Sequence, residues 1–242
     1  MPSIGIIGSQ GRMGQAIVSA IADAGAQHAG GIDQGDDPAG LANRCEVLVD
    51  FSSPGALEAN LDAAIAAGVP IVIGTTGLEE RHHFLIDSAA EAIPVLQTGN
   101  TSLGVTLLSH LVREAAARLD EDWDIEVLET HHRMKVDAPS GTALLLGEAA
   151  ADGRKIVLAD ESERGRDGIT GKRGIGTIGF ASLRGGSVAG EHSVFFLSDS
   201  ERLTLSHSAE NRGIFAKGAV RAALWLIGQT PGRYTMTHVL GL

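Results

Sequence analysis

Apolar positions follow one rhythm in the first hundred residues and another afterwards. Ser3–Ile7 (SIGII), Gln27–Ile32, Glu46–Phe51 (EVLVDF), Val69–Ile73 (VPIVI) and Pro94–Gln97 are short runs of the kind that predict strands. Near-continuous apolar runs such as EVLVDF suit parallel strands covered on both faces. Between them lie segments with apolar residues four apart: Met13, Ile17 and Ile21 in a helix over 12–24, and Leu57, Leu61 and Ile65 in a helix after Pro54. A further helix is predicted over 78–92. Alternation of this kind builds βαβ units around a parallel sheet. After residue 102 the rhythm changes. Leu103, Leu107, Leu111, Ala115 and Leu119 mark a long amphipathic helix, 124–129 a strand, and a helix begins near Ser140. A charged, glycine-rich loop is expected over 160–174. Then 175–183, 187–197 and 202–207 read as successive strands without helices between them, a meander in an antiparallel or mixed sheet. An apolar helix over 214–227 and a tail carrying Tyr234, Met236 and Val239 follow.

Composition narrows the function classes. Of 242 residues, 43% are hydrophobic and 20% charged, which excludes a disordered chain. The 32 glycines are close to twice the usual share. They carry no triplet period, which leaves tight turns and close backbone approaches as their use. The net charge is −11, so nucleic acid is not an expected partner. Cys45 is the single cysteine and has no intrachain partner for a disulfide, which fits a reducing compartment. No apolar run is long enough to span a membrane, and no signal-peptide pattern opens the chain. A soluble cytoplasmic protein is expected. No internal repeat is present.

Gly8-Ser9-Gln10-Gly11-Arg12-Met13-Gly14 follows the first strand and opens the first helix. Glycines there permit a sharp turn and let a pyrophosphate approach the backbone, where the helix N-terminus offers free N–H groups. The spacing departs from the usual dinucleotide fingerprint, because Gln10 stands where the second glycine is common. Asp33 lies 19 residues past Gly14, placed to accept hydrogen bonds from adenosine ribose hydroxyls. The residues after it, Gln34, Gly35, Asp36 and Asp37, are acidic or neutral, with Arg12 the nearest cation in sequence, which favours NADH over NADPH. Gly74-Thr75-Thr76-Gly77 sits past a strand end, either as a nicotinamide-side contact or as a plain turn.

The segment from Glu129 to Ala143 concentrates His131, His132, Arg133 and Lys135, then Pro139-Ser140-Gly141-Thr142 at a helix start. So many cations in an acidic chain suit a bound anion, with the Ser140 and Gly141 amides adding donors. A histidine there can act as a general acid. A solvated loop is the competing reading. A metal site is not expected, since adjacent histidines rarely converge on one ion.

GSQGRMG, Asp50-Phe51, GTTG at 74–77, HHRMKVDAPSGTA at 131–143, GTIGFASLRGG at 176–186 and GEHSVFF at 190–196 together resemble the dihydrodipicolinate reductase family of lysine and diaminopimelate biosynthesis. The resemblance runs in order over nearly the whole chain. It implies an α/β architecture. A Rossmann-like dinucleotide-binding domain with a parallel sheet occupies 1–102 and 213–242. A substrate-binding and oligomerisation domain, α+β with a mixed sheet, is inserted at 103–212. It further implies a homotetramer and NAD(P)H-dependent reduction of 4-hydroxy-tetrahydrodipicolinate, a small dicarboxylate, with loss of water. By the same resemblance His131 is the catalytic acid and Lys135 its lysine. His132, Gly141 and Thr142 hold substrate carboxylates. Cofactor contacts are Gly8 to Met13, Asp33, Gly74, Thr75, Thr76, Thr98, Gly99, Asn100 and Thr101. Two features depart from the family pattern: a short 35–44 segment, and Gln34 where an arginine is frequent. A different Rossmann dehydrogenase for an amino-acid-like anion is the alternative.

Overall fold

The computed structural model describes residues 1–242. The chain forms two compact units, Met1–Leu103 with Gly213–Leu242, and Gly104–Arg212.

The first unit runs β1 (Ser3–Ile7), α1 (Arg12–Asp23), β2 (Gln27–Ile32), α2 (Pro38–Ala42), β3 (Val47–Asp50), a short 3-10 turn, α3 (Leu57–Ala67), β4 (Ile71–Ile73), α4 (Glu80–Ala90) and β5 (Pro94–Gln97). The chain enters the second unit with α5 (Leu103–Arg118) and continues as β6 (Asp124–His131), α6 (Gly141–Arg154), α7 (Leu158–Glu161), β7 (Ser162–Glu163), β8 (Ile178–Arg184), β9 (Gly190–Leu197) and β10 (Arg202–Ala209). It returns as α8 (Gly213–Leu226), β11 (Gly232–Tyr234) and α9 (Met236–Leu240).

The first sheet has the order β11-β5-β4-β3-β1-β2, and every pairing is parallel. Both faces are covered. Ile4, Ile6, Val47 and Val49 pack with Ile17, Ile21, Ala219 and Ala223 on one side. Ile7, Leu48, Ile71 and Val95 pack with Leu41, Leu57 and Ile86 on the other. The apolar strand runs therefore have apolar neighbours in both directions. The short 35–44 segment folds as a turn and α2, whose N-terminus is capped by Asp37 Oδ1 accepting from Ala39 N at 3.0 Å. The tail supplies a sixth strand, β11, which is too short and polar to be read from periodicity.

The second sheet is mixed, in the order β10-β9-β6-β8-β7. The strands after α7 do not form a simple meander. β6 inserts between β8, to which it is parallel, and β9, to which it is antiparallel, and only β9 and β10 make a hairpin. Ile125, Val127, Ile178, Phe180, Val194 and Phe196 point to one face and pack against Leu108, Val112 and Leu146. The predicted stripe on α5 is corrected here. Leu107 and Leu111 are 45% and 43% exposed, and the buried face carries Val105, Leu108, Val112 and Ala116. A step of four residues overshoots a helical turn by about 40°, so five residues so spaced wrap about 160° and cannot share one face. Ile65 leaves the α3 core side for the same reason and is 38% exposed. The predicted 160–174 loop contains the end of α7 and β7, and beyond them is tied down by Arg166 and Arg173, both on Glu126.

Candidate functional site

In the first unit the segments after β1, β3, β4 and β5 all leave the same, carboxyl edge of the sheet, where ligands bind in open α/β folds. The strand order reverses at β1, flanked by β2 and β3. Gly8 has φ +85°, and a Cβ there would lie 2.5 Å from the Phe51 carbonyl oxygen, so only glycine makes this turn. A Cβ on Gly14 would overlap the Gly8 carbonyl, which lets α1 start tight against the loop. The α1 N-cap, Gly11, has no side chain with which to bond the first-turn amides.

Asp33 ends the β2 segment and is held by the loop. Ser9 Oγ donates to Oδ2 at 2.7 Å, and the Gln10 amide to both oxygens at 3.1 Å. Gly8, Gly11, Asp33, Gln34, Ser52 and Ala56 line part of a cavity of about 600 Å³. A cradle that Cβ atoms would fill, free helix-start amides and a carboxylate at the cavity edge fit a dinucleotide. Arg12 is exposed, and Met13 packs partly on the core.

The other predicted contacts divide. Thr75 is buried, and its hydroxyl donates to Asp50 Oδ1 (3.2 Å) and accepts from the Ser52 amide (3.1 Å). Asp50 is fully buried and also accepts from Ser52 and Asn60. Burial pushes its carboxyl above the usual range against those bonds. A Cβ on Gly74 would overlap the Phe51 ring, so the Asp50-Phe51 and Gly74-Thr75 motifs are two halves of one packed corner. Thr101 Oγ1 donates to the Phe215 carbonyl at 2.7 Å. The hydroxyl protons of Thr75 and Thr101 are thus committed within the protein, which leaves the two oxygens as acceptors. Thr98 and Asn100 shape a turn, with Thr98 Oγ1 donating to the Asn100 carbonyl at 2.8 Å and accepting from the Asn100 amide at 3.1 Å. Thr76 and Gly99 are exposed at the sheet edge.

In the second unit the register of the mixed sheet assembles the chemistry. Glu129 and His131 lie two apart on β6, hence on the same face as Ile125 and Val127. Glu129 is opposite Ser182 and His192, and His131 is opposite Arg184. Glu129 is 1% exposed. Its carboxylate accepts from His131 Nδ1, from both terminal nitrogens of Arg184 (2.7 and 2.8 Å), and from the Ser140 amide (3.1 Å). Burial alone would raise its pKa. Hydrogen bonds from Arg184, His131 and Ser182 outweigh that and hold it at about 2.

Ser140 caps α6, its Oγ accepting from the Ala143 amide and lying 3.0 Å from His192 Nε2. The Ser140 amide binds a carboxylate within the protein, that of Glu129. Gly141 is exposed at the helix start. His192, buried, meets the His131 ring edge-on at 5.1 Å, and its Nδ1 has no protein partner. Burial, then the neighbouring His131, pushes His192 down to about 4.

The cationic segment itself is tied to the 184–190 stretch. The His132 amide donates to the Val188 carbonyl, the Arg133 amide to Gly186, and the Gly185 amide to the His131 carbonyl. His132 Nε2 is 3.2 Å from Arg212. Lys135 Nζ lies 2.9 Å from Asp137 Oδ2 and, by that bond, holds the Asp137 carboxyl below the usual range. Arg184 also donates to the Asp137 carbonyl at 2.7 Å. Glu129, Arg184, His192 and Arg212 were assigned no role from sequence. For Glu129 the signal was available: alternation on a strand puts it on the face of His131.

Family models decide the lineage. The model for the dihydrodipicolinate reductase N-terminus matches residues 2–101, and that for its C-terminus residues 104–240. The chain belongs to the dihydrodipicolinate reductase family. A Zymomonas mobilis protein named 4-hydroxy-tetrahydrodipicolinate reductase is 54% identical over 99% of this chain and 97% of its own. One of the same name from Caulobacter vibrioides is 51% identical over 98% and 96%. A dipicolinate-bound dihydrodipicolinate reductase from Paenisporosarcina sp. TG-14 superposes with a TM-score of 0.76 at 21% identity, covering 97% of each chain. The two-sheet architecture is thus that of the reductase family. No helix is long and apolar enough to cross a membrane.

Proposed function

We propose that this chain reduces 4-hydroxy-tetrahydrodipicolinate to tetrahydrodipicolinate, with loss of water, at the expense of NADH or NADPH. The observation that carries this is His131, held at the end of β6 by a buried carboxylate beside a cationic segment, in a chain that both family models match. The glycine loop, the free α1 amides and Asp33 would hold the dinucleotide, with NADH preferred. The Asp33 carboxylate suits a ribose diol, and the Asp36 and Asp37 carboxylates repel a 2′-phosphate. A nicotinamide bound there supplies the two-electron reducing equivalent.

The chain's own residues do the rest. His131 delivers a proton to the ring being reduced. Lys135, within reach of Asp137 at rest, turns to balance substrate carboxylate charge. His132, the Gly141 amide and Thr142 orient the dicarboxylate, an anion whose charge the local cations match. Holding the two reactants in line accounts for much of the rate.

The uncovered face of the mixed sheet, where Leu128, Phe195 and Leu197 are half-buried and Leu183 is 53% exposed, supports assembly into a homotetramer through that sheet. A cytoplasmic setting fits the lone, buried Cys45.

A coupled assay tests the activity. Pyruvate and aspartate semialdehyde, with the upstream synthase, generate the substrate in place while nucleotide absorbance is followed. Synthase-dependent oxidation is expected, faster with NADH. His131→Ala is expected to lower kcat by about 100-fold or more with nucleotide binding retained. Nucleotide binding without oxidation by the wild type would reject the substrate assignment and leave a different dehydrogenase.

A further inference from the structure

The acid of the proposed reaction does not stand alone. His131 Nδ1 faces Glu129 Oε2, and the opposite ring nitrogen, Nε2, faces Gly190, where a Cβ would come within 3.0 Å. One nitrogen is thus committed to a carboxylate, and the other is uncovered because residue 190 has no side chain. The carboxylate is itself immobilised. Arg184 donates to both of its oxygens and also to the Asp137 carbonyl, and the Ser140 amide bonds Oε1. Every partner of Glu129 is therefore a donor, and the group is fixed as an ionised acceptor.

We propose that Glu129, clamped by Arg184, is the positioning residue of the reaction: it keeps a proton on His131 Nδ1, so that the transferable proton is carried on Nε2, the nitrogen Gly190 leaves open. This rests on His131 being the acid. The step balances simply. The Nε2–H bond breaks as the proton passes to the substrate, the Nδ1–H bond stays, and the imidazolium becomes the neutral Nδ1–H form. Glu129 remains ionised throughout, orienting the ring and stabilising its charged state before transfer. His192 sits edge-on to the ring and is kept neutral by its own burial, so it adds no competing positive charge.

Glu129→Gln isolates the effect. Its amide oxygen is best placed at the Oε1 position, under Arg184 and the Ser140 amide. Its NH₂ then takes the Oε2 position, where it gives up the bond from Arg184 Nη1, faces His131 Nδ1 and reverses the direction of that hydrogen bond, moving the neutral ring's proton to Nε2. Loss of the charge also disfavours the imidazolium. The expected result is a fall in kcat of about 100-fold or more, with KM for substrate and nucleotide within about threefold. Glu129→Asp, which keeps the charge, is expected to recover at least about tenfold of that loss.

Nitrogen-15 NMR of the histidine rings gives a readout independent of turnover: in the neutral wild type His131 carries its proton on Nδ1, and in Glu129→Gln on Nε2. In the His131→Ala background, Glu129→Gln is expected to change kcat by less than about twofold, because its action runs through the absent ring. Equal losses in both backgrounds, or an unchanged tautomer, would overturn the proposal and make Glu129 a structural residue. Failure of the wild type to oxidise nucleotide with the coupled substrate would instead overturn the reading of the reaction. Gly190→Ala is a second variant that leaves the ion pair intact; wild-type kcat in it would show that Nε2 is not the donating atom.

Discussion

His192 carries the most exposed prediction of the acid–base reading, although the residue is itself 4% exposed. Its imidazole is held neutral, with a pKa of about 4 against the ordinary 6.5, chiefly by burial and then by the nearby His131. In the unfolded chain it takes up a proton as pH falls through 6.5; in the folded chain it does so only near 4. The unfolded state therefore binds more protons in that window, and stability must fall with falling pH. The contribution is complete above 6.5, declines through the window and levels off below 4. At about 1.4 kcal/mol for each tenfold change, the full loss is on the order of 3 kcal/mol.

The perturbation is His192→Leu. It removes the titration while filling similar space, and its effect on absolute stability is irrelevant to the slope. The assay is urea unfolding at fixed protein concentration between pH 7 and 4.5, stopping above the range where Glu129 protonates. The wild type is expected to lose about 1 kcal/mol more per pH unit than the variant around pH 5. Parallel stability profiles would refute the burial argument and mean that His192 takes up its proton in the folded protein over the same range as in the unfolded chain.

Two further predictions concern charge. Gln34→Arg places a guanidinium beside the ribose-side carboxylate Asp33, and the kcat/KM ratio for NADPH over NADH is expected to rise about tenfold through a charge-assisted phosphate contact; an unchanged ratio would locate the 2′-phosphate elsewhere. Arg184→Met leaves Glu129 buried without its bidentate partner and is expected to cost about 3–5 kcal/mol by chemical denaturation at neutral pH. The deficit should shrink at lower pH as the carboxylate is neutralised. A cost below about 1 kcal/mol would mean that the pair contributes specificity and not stability.

Sequence pattern alone delimited the elements that touch the core. β1 and β5 have the predicted bounds, and α1 the predicted start, because burial on both sheet faces leaves a continuous apolar run and the glycine loop interrupts it sharply. The cationic segment and the glycine loop were legible for the same local reason: their chemistry is contiguous in the chain.

Non-local pairing is where tertiary structure decided. Nothing in the strand runs says that β6 slots between β8 and β9, and that register alone brings Arg184 beside His131 and His192 beside Glu129. Residues 129, 184 and 192 belong to three strands, with Glu129 lying 55 residues before Arg184, each unremarkable within its own run. Likewise only packing commits the hydroxyl protons of Thr75 and Thr101, to Asp50 and to the Phe215 carbonyl. Sequence reports what a residue can do, since side-chain chemistry is local. Which partners satisfy it depends on the strand order and on the burial that forbids an unpaired polar group, and both arise only in the folded chain.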